Sequence, residues 1–156
     1  MYGSTQELIE ALQSTPVTLE TLVYGVTMEQ ARIARANEGW SIVEVMCHMR
    51  DTEEFVIERM HTIRDTSPAM IGGFDQEALA QERWYSQANL QEALAEFVRA
   101  RSQHIVELTA LTPEQWELSA EHNRLGMVTI YSHTLHMLWH DAIHMAQIAR
   151  QLQVPL

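Results

Sequence analysis

Lysine is missing altogether: all ten basic residues among the 156 are arginine. Without it there is no Schiff base to a carbonyl substrate, no pyridoxal chemistry and no Walker A phosphate loop, each of which needs that amine. A single cysteine, Cys47, excludes an intramolecular disulfide and any cysteine-rich metal knuckle. Its default role is a small buried hydrophobe. Six glycines and four prolines are too few to punctuate a domain of many short strands. Positive charge is scarce too. Acidic residues exceed basic ones by 11, a balance that repels phosphate backbones and anionic membrane surfaces. Neither nucleic acid nor membrane is expected as a partner. No apolar run approaches bilayer-spanning length, and Met1–Glu7 lacks the basic start and apolar stretch of a secretory signal. A soluble, cytoplasmic protein is the expectation.

What is present suits one helical domain spanning 1–156. Hydrophobic residues make up 46% and charged ones 20%, too apolar for a disordered chain and long enough to bury one core. Helix starts are legible because one capping pattern recurs, a small polar residue with Glu or Gln three positions later. Ser4 with Glu7 opens a first helix that Pro16 is expected to end or kink. Thr27 with Gln30 opens a short piece, and Asn37-Glu38-Gly39 breaks the chain. Ser41 with Glu44 starts a long helix to about Asp65, and the stretch Ser67 to Gly73 reads as a loop. A short helix from Asp75 to about Arg83 and a long one from Asn89 to near Leu111 follow. Thr112-Pro113-Glu114-Gln115 is a brief capped turn, and Trp116 to Gly126 reads as irregular. A last helix covers roughly Ile130 to Leu152 before Pro155. No stretch alternates long enough for a strand. The expected fold is all-α, a four-helix bundle with short additional helices in its connections.

Histidine is the informative residue. At 100° per residue, His133, His136, His140 and His144 fall within about 80° of one face of the last helix, and His140 and His144 lie one turn apart. Such a pair can hold one metal ion from a single rigid element. A third ligand must come from another helix. His48 is the best supplier, on the edge of the apolar face carrying Val45, Met49, Val56 and Met60. A lone histidine there is more often a packed core residue, so the two overlapping pairs on the last helix carry the case.

Two longer stretches resemble a known family. The run Gly39-Trp40-Ser41-Ile42-Val43-Glu44-Val45-Met46-Cys47-His48-Met49-Arg50-Asp51 is similar to the start of the second helix in the DinB-like superfamily. There a Trp-Ser capping step leads about eight residues on to a metal-binding histidine. His136-Met137-Leu138-Trp139-His140-Asp141-Ala142-Ile143-His144-Met145-Ala146-Gln147-Ile148 resembles its fourth-helix signature, including the Gln after the last His. Ala80–Tyr85 and His122–Thr129 are similar to weaker family patterns, in the right order. The resemblance implies a four-helix bundle holding one divalent ion, often zinc or nickel, on residues matching His48, His140 and His144. It also implies kinship with S-transferases that use low-molecular-weight thiols and with a thiol-dependent isomerase. Three ligands leave an open position, as in catalytic sites, where a thiol would be activated.

Other residues have two readings each. Glu44, one turn before His48, is a metal ligand or general base, or a capping carboxylate, the favoured reading. Asp51 and Asp141 could orient a ligand imidazole, though solvated positions are the plainer expectation. Arg59, about three turns beyond His48 on one face, could hold a substrate carboxylate or sit in a surface ion pair. His136 and His122 are candidates to contact substrate, and His133 is expected to pack. Trp40, Trp84, Trp116 and Trp139 read as core or pocket wall. Glu58-Arg59-Met60-His61 contains the Glu-x-x-His of di-iron bundles, a remote alternative because a second copy is missing. A metal- or ligand-binding bundle without catalysis is the nearer one. Finally, the last helix carries a second apolar stripe, Leu135, Leu138, Met145, Ala149 and Leu152, which predicts a homodimer through that helix.

Overall fold

The computed structural model describes residues 3–34 and 39–153. The break expected at Asn37-Glu38 and the stop at Pro155 lie outside them. Four long helices form the body: α1 (Thr5–Leu22), α3 (Ile42–Thr66), α5 (Leu90–Thr109) and α7 (Ile130–Gln153). Shorter helices fill the connections: α2 (Met28–Ala31), α4 (Gln76–Glu82), a 3₁₀ turn at Tyr85–Gln87 and α6 (Pro113–Trp116). The starts sit where the capping residues put them. Ser4, Thr27 and Thr112 each accept from the backbone N–H three residues on, and Asn89 accepts from Gln91 and Glu92. The long helices α1 and α3 each pack on both α5 and α7, so the order around the bundle is α1–α5–α3–α7.

Three sequence expectations need correction. Pro16 neither ends nor kinks α1, which runs through it to Leu22. Proline cannot donate to the carbonyl four residues back, that of Leu12. Here Arg101 Nη1 takes that place, 3.1 Å from the Leu12 oxygen. The expected loop at 67–73 and the irregular stretch at 116–126 contain strands. β1 (Ala69–Ile71) pairs parallel with β2 (Ser119–His122), and β2 pairs antiparallel with β3 (Gly126–Thr129). Strands of three or four residues are too short to show alternation, and Ala69-Met70-Ile71 is apolar throughout, so the sequence carried no period-two signal. The β2–β3 hairpin turns through Asn123–Leu125 and closes on Gly126 at φ +73°, where glycine meets no steric penalty. Helix α1 packs along α7, and in α7 Leu135, Leu138, Met145 and Ala149 are half-buried. Leu152, at 38% exposure, is open to solvent.

The core has two apolar halves. One gathers Leu19, Met49, Phe97 and Ile148, the other Leu12, Val56, Leu108 and Met137. On each long helix a polar residue falls between them: Thr15, Glu53, Arg101 and Asp141. All four are buried and bonded to one another. Arg101 donates from Nε and Nη2 to the two Glu53 oxygens at 2.8 and 2.9 Å, and from Nη1 and Nη2 to Asp141 at 2.8 and 3.2 Å. With the Leu12 carbonyl, all five guanidinium N–H groups are used. His104 Nδ1 lies 2.7 Å from Glu53 and Thr15 donates to Asp141 at 2.8 Å. The guanidinium holds the Glu53 carboxyl down at about 2, against the burial that alone would raise it.

Candidate metal centre

The fold brings His48 of α3 against His140 and His144 of α7. His48 Nε2 lies 2.9 Å from His140 Nε2, and one nitrogen from each of the three rings lies within 4.8 Å of the others. Among the described residues this is the one group of three or more potential ligands close enough to share an ion. Two sets of contacts hold the start of α3 and the end of α7. Glu44 Oε2 accepts from the Ser41 N–H and hydroxyl at 2.8 and 2.6 Å, tying down the start of α3. Gln151 of α7 donates to the Trp40 carbonyl at 3.0 Å, and the Trp40 ring sits 5.0 Å from that of His48.

The donor set suits a divalent ion. Burial, the larger cause, and the neighbouring His144 push His48 down to about 3. Burial likewise holds His140 well below the usual imidazole range and lowers His144. All three are therefore neutral near pH 7, the form a metal requires. The His144 Nδ1–H is directed at Gln147 Oε1, 2.9 Å away, which leaves Nε2 a bare acceptor. A ring-to-ring hydrogen bond can satisfy His48 and His140 Nε2, but it leaves the His144 lone pair facing them unused. One cation can accept all three. The Nδ1 atoms of His48 and His140 have no partner, so no carboxylate orients those rings.

These rings line a cleft of about 520 Å³. No fourth ligand from the described residues completes the cluster, so a coordination position would open into the cleft.

The other candidates fall as follows. Glu44 is the capping carboxylate, and its bonds go to Ser41 rather than to the cluster. Replacing it with alanine is expected to cost about 1 kcal/mol in a urea titration and to leave metal uptake unchanged. Asp51 and Asp141 are not solvated; their exposures are 0% and 1%. Asp51 takes Arg50, Arg83 and the Tyr85 hydroxyl, while Asp141 takes Arg101 and Thr15. Short-range sequence logic could not find these partners, most of which lie more than thirty residues away. Arg59, His122 and His136 all line the cleft, and so does His133, which was expected only to pack. Thr52, one turn after His48, was missed: its buried hydroxyl lines the cleft without a partner, and the i, i+4 spacing was the available signal. In the di-iron pattern Glu58 is exposed and His61 pairs with Glu107, apart from the cluster. Cys47 is buried in the apolar core. Trp116 is core and Trp139 edges the cleft, but Trp84 is 65% exposed.

No helix among the described residues is long and apolar enough to cross a membrane. Comparison with known structures gives close fold matches at low identity. YfiT from Bacillus subtilis, described as a probable metal-dependent hydrolase with an unusual four-helix bundle topology, superposes with a TM-score of 0.89 at 20% identity, covering 97% of this chain and 87% of its own. A Streptococcus pneumoniae protein matches at a TM-score of 0.76 and 13% identity over 100% of this chain and 94% of its own. An uncharacterised protein from Clostridium difficile 630 matches at 0.76 and 12%, over 100% and 99%. No curated protein sequence matches. The family pattern of the DinB superfamily matches residues 11–148. With the two helical histidine motifs brought face to face in a four-helix bundle, the chain belongs to the DinB superfamily.

Proposed function

We propose that His48, His140 and His144 hold one divalent ion, zinc or nickel, and that the protein is a metal-dependent enzyme transferring a low-molecular-weight thiol to an electrophilic small molecule. The observation that carries this reading is three neutral imidazoles converging beside a cleft with no fourth protein ligand. A metal there supplies a Lewis acid that lowers the proton affinity of a thiol or water at the open position. The chain's residues do the positioning. Gln147 fixes the His144 tautomer, Trp40 and Phe74 flank His48 at 5.0 and 6.3 Å between rings, and the Thr52 hydroxyl is free to bond an incoming nucleophile. Cys47 is not that nucleophile: burial pushes its thiol up to about 11. A cytoplasmic location belongs with this reading, since small thiols are kept reduced there.

Water in place of a thiol makes the same site a hydrolase, a second reading favoured by the likeness to YfiT. A panel of thiols with electrophiles, run beside a panel of esters and amides on zinc- and nickel-loaded protein, separates the two. Silence in both panels with metal bound leaves the non-catalytic binding role. Alanine at His140 or His144 is expected to abolish stoichiometric metal in untagged protein while helicity persists. Full metal occupancy in either variant would sink the site. A homodimer through α7 draws less support, because most of the stripe that suggested it is already half-buried within the chain. Light scattering at twice the 17.9 kDa chain mass is the result that would carry it.

A further inference from the structure

The cleft has a second end. His48 meets His140 and His144, while the charge of Arg59 bears on His122, His133 and His136, so α3 and α7 run antiparallel along the cleft. The interval from His48 to Arg59 equals that from His133 to His144, about three turns and roughly 16 Å, which returns to nearly the same helix face. Two arginines and six histidines line the cleft, and no Asp or Glu does, in a chain with 11 more acidic than basic residues.

Arg59 is half-buried and spends one donor on the Gly72 carbonyl at 2.5 Å. Its guanidinium carbon lies 5.9 Å from the Phe74 ring, and no described carboxylate is within ion-pair distance. Arg50, Arg64, Arg83 and Arg101 all have one. The remaining N–H groups of Arg59 therefore have no acceptor among the described residues. His122 adds a donor of fixed direction. Its Nδ1 accepts from the backbone N–H of Arg124 and Leu125 at 3.1 and 3.3 Å, so in the neutral ring the proton sits on Nε2, where no described group takes it. Four apolar side chains also line the cleft: Phe74, Met137, Trp139 and Ile143.

We propose that Arg59 and His122 bind the carboxylate of a small organic acid whose apolar body lies along Phe74, Met137 and Trp139, so that the substrate of the metal centre is a carboxylic acid. The planar fork of arginine matches a carboxylate with two parallel bonds. The substrate assignment rests on the metal reading above; the carboxylate pocket itself is made only of this chain's residues.

Calorimetric titration of the zinc-loaded protein with 3-phenylpropionate and with its amide tests it. The acid is expected to bind at least about tenfold more tightly than the amide. Arg59→Gln should erase that preference, leave amide binding unchanged and keep one zinc per chain. His122→Phe should weaken acid binding about fivefold, one hydrogen bond's worth, and serves if Arg59→Gln fails to fold. Metal-free protein should still prefer the acid. Equal affinity for acid and amide, no acid binding at millimolar concentration, or full acid preference in Arg59→Gln overturns the proposal. So does acid binding that disappears with zinc, since the carboxylate would then be a metal ligand. Failure of the metal reading shows separately, as wild-type protein that takes up no stoichiometric zinc.

Discussion

Replacing Arg101 with methionine is expected to destabilise the fold by about 3–5 kcal/mol, the cost of leaving buried charge uncompensated, out of a total stability of about 5–15 kcal/mol. Two carboxylates, Glu53 and Asp141, face that one guanidinium in the middle of the bundle, both essentially without solvent contact. Removing it strands both charges and the Leu12 carbonyl, which Pro16 cannot serve. Urea denaturation followed by circular dichroism measures the effect. Adding Glu53→Gln and Asp141→Asn to Arg101→Met should recover much of the loss, because neutral amides no longer repel. A single variant within about 0.5 kcal/mol of wild type, the ordinary range of surface substitutions, would show that the network does not hold the helices together.

That network explains what the sequence disclosed and what it hid. Helix starts were legible because a cap is a local bargain between residues three apart, as at Ser4, Thr27, Ser41 and Thr112. The face shared by His140 and His144 was legible for the same reason: 3.6-residue periodicity is written within one element. Helix order was not. It depends on Glu53, Arg101, Asp141 and Thr15 meeting across gaps of up to 126 positions, contacts that no spacing within one helix encodes. Pro16 misled because its rule assumes that the orphaned carbonyl finds no other donor, and Arg101 supplies one. The strands misled because their pairing, Ile71 with His122, joins segments fifty residues apart. That same pairing sets His122 over the cleft. His48 lay between the two kinds of signal. Its helix face was readable, but its meeting with α7 was fixed by long-range packing and by a family pattern.

Metal-free protein should unfold in acid well before its carboxylates protonate, and metal should delay that unfolding. Burial and neighbouring positive charge lower His48 and His133 to about 3, and His140 lies well below the ordinary imidazole value of 6.5. In the unfolded chain these rings regain a value near 6.5. Between the two values the unfolded state binds more protons, so stability falls as pH falls. The loss begins as pH drops through about 6.5 and levels off only near the folded values. Each ring contributes about 1.4 kcal/mol per pH unit across that window, so three together contribute about 4. Glu53 acts in the same direction lower down: depressed to about 2 from an ordinary 4.5, it withdraws its stabilisation as pH falls through that range. A metal-free domain of ordinary stability should therefore lose most of its helicity by about pH 5. Zinc in excess should move the midpoint to lower pH, because the ion binds the neutral rings that protons must otherwise claim. His133→Asn should shift the metal-free midpoint down without changing zinc uptake, whereas His144→Ala should remove the zinc effect altogether. A metal-free acid midpoint at or below pH 4 would mean that these imidazoles are not held neutral by the fold. Identical midpoints with and without zinc would mean that His48, His140 and His144 do not share an ion.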